Sequence, residues 1–249
     1  MAAESDVVHR FQRADLPRRA KVLIGGGLLL VSALAWAVTL QSTNAISMGL
    51  PGFVALWTVM MAAMMLPSVL PTVLLFATIA PSRSGFGFPP APTATFVAGY
   101  LAIWSLAGIG VGLAGESFGS VPSTGGQLLI GGALITAGAF QLTRWKAFCL
   151  GHCRSPMQFF MDHWHDGANG AVLMGAHHGL YCVGCCWGLM LALIALGMMN
   201  PTWMVLVAAA VFVEKVVPRV DRIAAIIGVG LLLAGLSIAI GPLSPLTGM

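Results

Sequence analysis

Charge is what this chain lacks most. Of its 249 residues only 8% are Asp, Glu, Lys or Arg, whereas 58% are hydrophobic. A soluble domain carries about 25% charged residues, so a water-facing globular surface is excluded. With lipid as the solvent, every backbone amide must be satisfied within a helix or a closed barrel. The apolar runs are long and do not alternate with period two, which selects helices. There is no nucleotide-binding loop and no polar stretch long enough for a soluble catalytic domain. No cleavable signal pattern is expected, because Met1 to Lys21 is polar and basic and the apolar run after it is long enough to span. No nucleophile–base arrangement is visible, so no reaction is assigned. The net charge of +4 points to membrane topology rather than to a nucleic-acid partner.

What is there begins with the apolar runs, at about Val22–Leu40, Phe53–Ala80, Thr93–Gly115, Gln127–Phe148, Leu180–Met199, Thr202–Val217 and Ile223–Ile240. At ~20 residues per span they predict about seven transmembrane helices, the sixth short and the second long. The weakly apolar stretch 167–176 either extends the fifth helix or forms a re-entrant piece. All twelve Lys and Arg fall on one side of such a bundle: Arg10, Arg13, Arg18, Arg19, Lys21, then Arg83, then Arg144, Lys146 and Arg154, then Lys215, Arg219 and Arg222. The positive-inside rule makes that side cytoplasmic. The expected fold is thus an all-α polytopic membrane bundle, N-terminus cytoplasmic and C-terminus outside. A basic segment spans 1–21, the transmembrane domain 22–241 with a Cys/His-rich cytoplasmic loop at 149–186, and a tail 242–249. Glu116 is the only acid expected on the outer side. Pro67 and Pro71 predict a kink or unwound turn in the second helix, and Gly108, Gly110, Gly112, Gly115, Gly228, Gly230 and Gly235 predict close helix packing.

All five cysteines and five of the six histidines lie between Cys149 and Cys186. Cys149 and Cys153 are four apart, and Cys182, Cys185 and Cys186 stand at i, i+3 and i+4, so each group shares a helix face. His178 lies one turn before Cys182, and His177 borders it. Isolated cysteines pack as small hydrophobes, but five of five in one stretch, interleaved with histidines, predict a soft-metal site. Thiolates with imidazoles suit Cu(I), Zn(II) or an iron–sulfur centre. His163 and His165, in a polar loop, read as solvated. The odd cysteine count, in or beside membrane segments, is no secreted disulfide framework, and Cys-Val-Gly-Cys-Cys lacks the His of a covalent haem site.

A second soft cluster is Met60, Met61, Met64 and Met65. Met60 stacks on Met64, and Met61 on Met65. Thioethers select Cu(I), yet they also make flexible packing. With Met48, Met198, Met199 and Met204 they fall in the expected outer half, opposite the thiols. Glu214, an acid in an apolar run, is a functional candidate: a metal ligand, a partner to a ligand, or the counter-ion of Lys215 or another cation. Lys215 is expected to snorkel to the cytoplasmic surface.

Together these pieces resemble a known family. They are Trp57-x-x-Met60-x-x-Ala63-Met64-Met65-x-Pro67, Gly99-Tyr100-x-x-x-Trp104, Lys146-x-x-Cys149-Leu150-x-x-Cys153-Arg154-x-Pro156, Gly179-x-x-Cys182-x-Gly184-Cys185-Cys186-Trp187-x-Leu189-Met190 and Glu214-Lys215-x-x-Pro218. The family is that of predicted metal-binding, multi-pass bacterial integral membrane proteins, a domain of unknown function. The resemblance runs from about residue 53 to the end of the last helix and departs in the histidine-rich loop after Pro156. It implies a bacterial inner-membrane protein that binds metal, and no established reaction.

Three functions follow as expectations. The first is copper handling, with Cu(I) held by Cys149, Cys153, Cys182, Cys185 and Cys186, His177 or His178 contributing, and the methionines as a waystation. Zinc or iron is the alternative metal. The second is thiol redox chemistry by Cys182/Cys185 and Cys149/Cys153. The third is an accessory subunit of a membrane complex. The expected partners are the bilayer and a metal donor, metal acceptor or membrane complex. Retinal binding is set aside, because Lys215 is near the end of the sixth helix.

Overall fold

The computed structural model describes residues 17–42, 49–84, 90–118, 123–198, 200–217 and 220–240. Arg10, Arg13, Met48, Met199, Pro218, Arg219 and the tail 242–249 lie outside the described residues, as do the side chains of Arg83 and Glu116. Among the described residues every regular element is a helix: α1 (Arg18–Gln41), α2 (Gly49–Ser84), α3 (Pro90–Phe118), α4 (Ser123–Gln141), α5 (Arg144–Arg154), α6 (Pro156–Asp162), α7 (Gly167–Gly197), α8 (Pro201–Val216) and α9 (Val220–Ile240).

Five of these, α1, α2, α3, α7 and α9, are long and apolar enough to cross a membrane. A sixth candidate is broken: α4 and α5 meet at a 64° bend. The run expected as one span, Gln127–Phe148, therefore turns aside at Leu142–Thr143, where the Thr143 hydroxyl accepts from the Lys146 backbone N–H and caps α5. α8 is 16 residues long, short of the usual span. It starts on the Asn200 side chain, which accepts from Thr202 N–H, with Pro201 at its first turn. The stretch 167–176 does extend the helix after it, since α7 is continuous from Gly167. α2 runs unbroken through Pro67 and Pro71, with no unwound turn.

The layering is inverted relative to a soluble protein. α2 is the central element: Met60 to Leu66, Val69, Val73, Phe76 and Ala77 are all buried. α1 and α9 turn apolar side chains outward, among them Leu23, Leu30, Ile226 and Leu233, while Lys146, Glu214 and Lys215 are buried. Charge inside and hydrocarbon outside suits a polytopic helical bundle in lipid.

Helix α2 packs on α1, α3 and α8, and α7 packs on α3, α4, α5 and α8, with α9 against α4. Hydrogen bonds cross the first interfaces: Ser32 Oγ donates to Ala63 O at 2.7 Å and Trp57 Nε1 to Trp104 O at 2.9 Å. The α3–α7 crossing is close. A β-carbon on Gly99 would lie 2.1 Å from Val172 O, and one on Gly175 2.0 Å from Phe96 O, so only glycine lets these backbones meet. Of the glycines expected to pack, Gly108, Gly112, Gly228 and Gly235 do, while Gly110, Gly115 and Gly230 face open space.

Candidate metal centre

α7 supplies the core of the site. Cys182, Cys185 and Cys186 are each no more than 1% exposed, on the stripe their spacing dictates. Cys185 Sγ donates to Cys182 O at 3.2 Å and stands 3.3 Å from Cys186 Sγ. The bend before α5 lays that helix against α7 and brings in the other pair. Cys153, buried, places its Sγ 3.8 Å from Cys185 Sγ. Cys149 is half-buried, and a β-carbon on Gly184 would lie 2.9 Å from its Sγ. The two cysteine groups, 32 residues apart at Cys153 and Cys185, therefore meet.

Three further helices contribute polar groups. Lys215 of α8 donates to Cys182 Sγ at 2.9 Å and to Ser68 Oγ of α2 at 3.3 Å. Tyr100 Oη of α3 lies 3.0 Å from the same sulfur. Lys215 thus does not snorkel outward as the sequence suggested; it is 8% exposed and points into the bundle. The reason is packing: α8 lies against both α2 and α7, which covers its last turn. An ammonium in so dry a place needs polar partners, and the Cys182 sulfur and the Ser68 hydroxyl supply them.

Glu214 goes elsewhere. Its Oε2 lies 2.6 Å from Lys146 Nζ and its Oε1 accepts from Gln141 Nε2 at 2.8 Å, while Lys146 also donates to Gln141 Oε1. Both carboxylate oxygens are occupied by nitrogen donors rather than turned to a sulfur. This triad ties α4, α5 and α8 together at the bend. It also takes Lys146 out of the surface charges, as the contact with Cys182 takes Lys215.

His178 is 1% exposed, its ring centroid 5.2 Å from Phe159, 6.1 Å from Tyr100 and 6.3 Å from Phe96. His177 is half-buried and faces His163. The Nδ1 atoms of His177 and His178 are buried without a hydrogen-bond partner. Among the described residues no set of three or more His, Cys, Asp or Glu side chains forms a ready metal cage. Met60, Met61, Met64 and Met65 are all within the core at 2% exposure or less. Met64 lies one turn before Ser68, so its face of α2 continues to the Lys215 contact.

Sequence reasoning passed over Ser68, Gln141 and Lys146 as site residues, and placed Tyr100 only within a motif. In the sequence Lys146 and Lys215 are only cations beside apolar runs; the partners that turn them inward, Glu214 and Cys182, come from other helices.

Comparison with known proteins adds one match. A family model described as PpoB2, copper chaperone, matches residues 54–238. The chain belongs to this copper chaperone family. The match spans α2 to α9 and includes every cysteine and the four clustered methionines. For a copper chaperone family the metal is cargo, and the soft donors are of the class that favours Cu(I) over harder ions. No curated protein matches the chain, and no solved structure does.

Proposed function

We propose that this chain is an integral membrane copper chaperone of the bacterial inner membrane that takes Cu(I) on the thiols of Cys153, Cys182, Cys185 and Cys186. The observation that carries the reading is the approach of Cys153 Sγ to within 3.8 Å of Cys185 Sγ. Sulfurs sharing one tetrahedral ion at metal–sulfur bonds of ~2.3 Å stand roughly 3.8 Å apart. Cu(I) takes few, soft ligands, so a cluster short of a finished cage suits a protein that must also release its cargo. Cys149, half-buried at the edge of the group, would serve the exchange step. Lys215 balances the thiolate charge. Met60, Met61, Met64 and Met65 form a thioether strip that leads along α2 to Ser68 and the thiols.

In this reading the basic ends face the cytoplasm, and the cargo passes between a metal donor and an acceptor protein there. Cu(I) added to the detergent-purified protein under argon tests it. Near-stoichiometric copper with sulfur ligation is expected, and no sulfur-bound copper would refute the assignment.

A second reading is favoured by the Lys215–Cys182 contact, which is the environment of a reactive thiolate. There Cys153 and Cys185 would act as a dithiol. A mixed disulfide with a partner, trapped in cells on Cys185 in a Cys153→Ser variant, is its expected mark. Thiols that stay reduced in growing cells under aerobic and oxidative conditions would dismiss it.

A further inference from the structure

The loop between α6 and α7 holds histidines that the thiol site does not use. His163 is half-buried at the end of α6, and its ring centroid lies 5.5 Å from that of His177 on α7, with the planes at 75°. Two imidazoles bound to one ion through metal–nitrogen bonds of ~2 Å have centroids roughly 5–6 Å apart. The pair is therefore spaced for a shared ion.

Two further observations point the same way. His163 Nδ1 lies 3.3 Å from Phe159 O. A carbonyl only accepts, so Nδ1 carries the proton and Nε2 the free lone pair. This is the arrangement that orients a metal-binding histidine, its second nitrogen donating to a backbone carbonyl. His177 Nδ1 is buried with no protein partner, which is uncommon for a ring nitrogen. On α7 the next residue is His178, 1% exposed and likewise unpartnered at Nδ1, and one turn on is Cys182. From His163 at the end of α6 the imidazole donors thus pass to His177 and His178 on α7 and on to the buried thiols of that helix.

We infer that His163 and His177 form a separate two-imidazole copper site that admits Cu(I) to the thiol cluster. The delivery step rests on the proposed thiol site; the binding step does not. The sequence reading took His163 for a solvated loop residue; the structure half-buries it against Phe159.

The test uses Cu(I) alone, added under argon to the full-length protein in detergent, with a chromophoric chelator as competitor and X-ray absorption to tell nitrogen from sulfur ligands. A Cys153→Ser/Cys182→Ser/Cys185→Ser/Cys186→Ser variant is expected to retain nitrogen-bound copper, and adding His163→Gln/His177→Gln to weaken it by ~tenfold or more. Equal copper binding in both variants overturns the site. Should the serine variant fail to fold, His163→Gln/His177→Gln in the otherwise native chain decides. Loading of the thiols is expected to slow severalfold at unchanged final copper content, and an unchanged rate overturns the inference. The two readings fail separately. Native protein with only nitrogen-bound copper removes the thiol site and leaves the imidazole pair, whereas sulfur-bound copper indifferent to the histidine substitutions does the reverse.

Discussion

Lys215, at the end of a short helix packed against α7, donates to the Cys182 sulfur at 2.9 Å. That contact makes the thiol stripe of α7 an electrostatic centre as well as a cluster of soft donors. Tyr100 and Ser68 complete its polar surroundings. A hydrogen bond to a charged group contributes about 1.5–3 kcal/mol. Lys215→Met is therefore expected to weaken Cu(I) binding by about tenfold or more, read by chelator competition. Unchanged affinity would mean that the ammonium plays no part in holding the thiolate.

The Lys146–Glu214 pair is a different kind of element. Both side chains are 2% exposed or less, and breaking a buried pair by removing one partner costs about 3–5 kcal/mol, whereas replacing both by apolar residues is often neutral. Lys146→Met or Glu214→Leu alone is expected to lower the thermal midpoint in detergent, and the double variant to recover most of the loss. A double variant as unstable as the worse single one would show that Gln141, left without partners, sets the stability.

The methionine strip separates packing from transfer. Met→Leu conserves volume and usually costs less than about 1.5 kcal/mol. Met60→Leu/Met64→Leu is thus expected to keep the fold while lowering the copper content of cells. Cells of that variant with normal copper uptake and tolerance would reduce the strip to core filling.

The α3–α7 crossing should be intolerant of a single methyl group. In Gly99→Ala the β-carbon meets a backbone carbonyl at 2.1 Å, and a backbone does not yield as a side-chain end does. A loss of about 1–3 kcal/mol or more is expected, seen as a lower thermal midpoint or a failure to accumulate. Gly110→Ala, in open space, is the control and should be neutral.

How much of this was legible in the sequence follows from what each signal depends on. Hydrocarbon content and run length are local, so the helical bundle could be read directly. So could the face shared by Cys182, Cys185 and Cys186, because i, i+3 and i+4 spacing holds in any helix. Cys153 meeting Cys185 depends on the 64° bend at Leu142–Thr143, and no apolar run announces a bend. Lys146 and Lys215 were counted as cytoplasmic markers because a cation at the end of an apolar run ordinarily snorkels. Their inward turn depends on Glu214, Gln141 and Cys182, which other helices bring. His163 read as solvated for the same reason: His177 is 14 residues away, and the two meet only because rings at the end of α6, Phe159 and His163, reach the face of α7.

The central claim is that the converged cysteines hold copper. The most direct measurement is elemental analysis, with X-ray absorption, of detergent-purified protein prepared anaerobically, beside a Cys182→Ser/Cys185→Ser/Cys186→Ser variant. The account predicts near-stoichiometric, sulfur-ligated copper in the native protein and its loss in the variant, leaving at most the nitrogen-bound copper of the imidazole pair. Native protein that carries no sulfur-bound copper, even after Cu(I) is supplied, would contradict it.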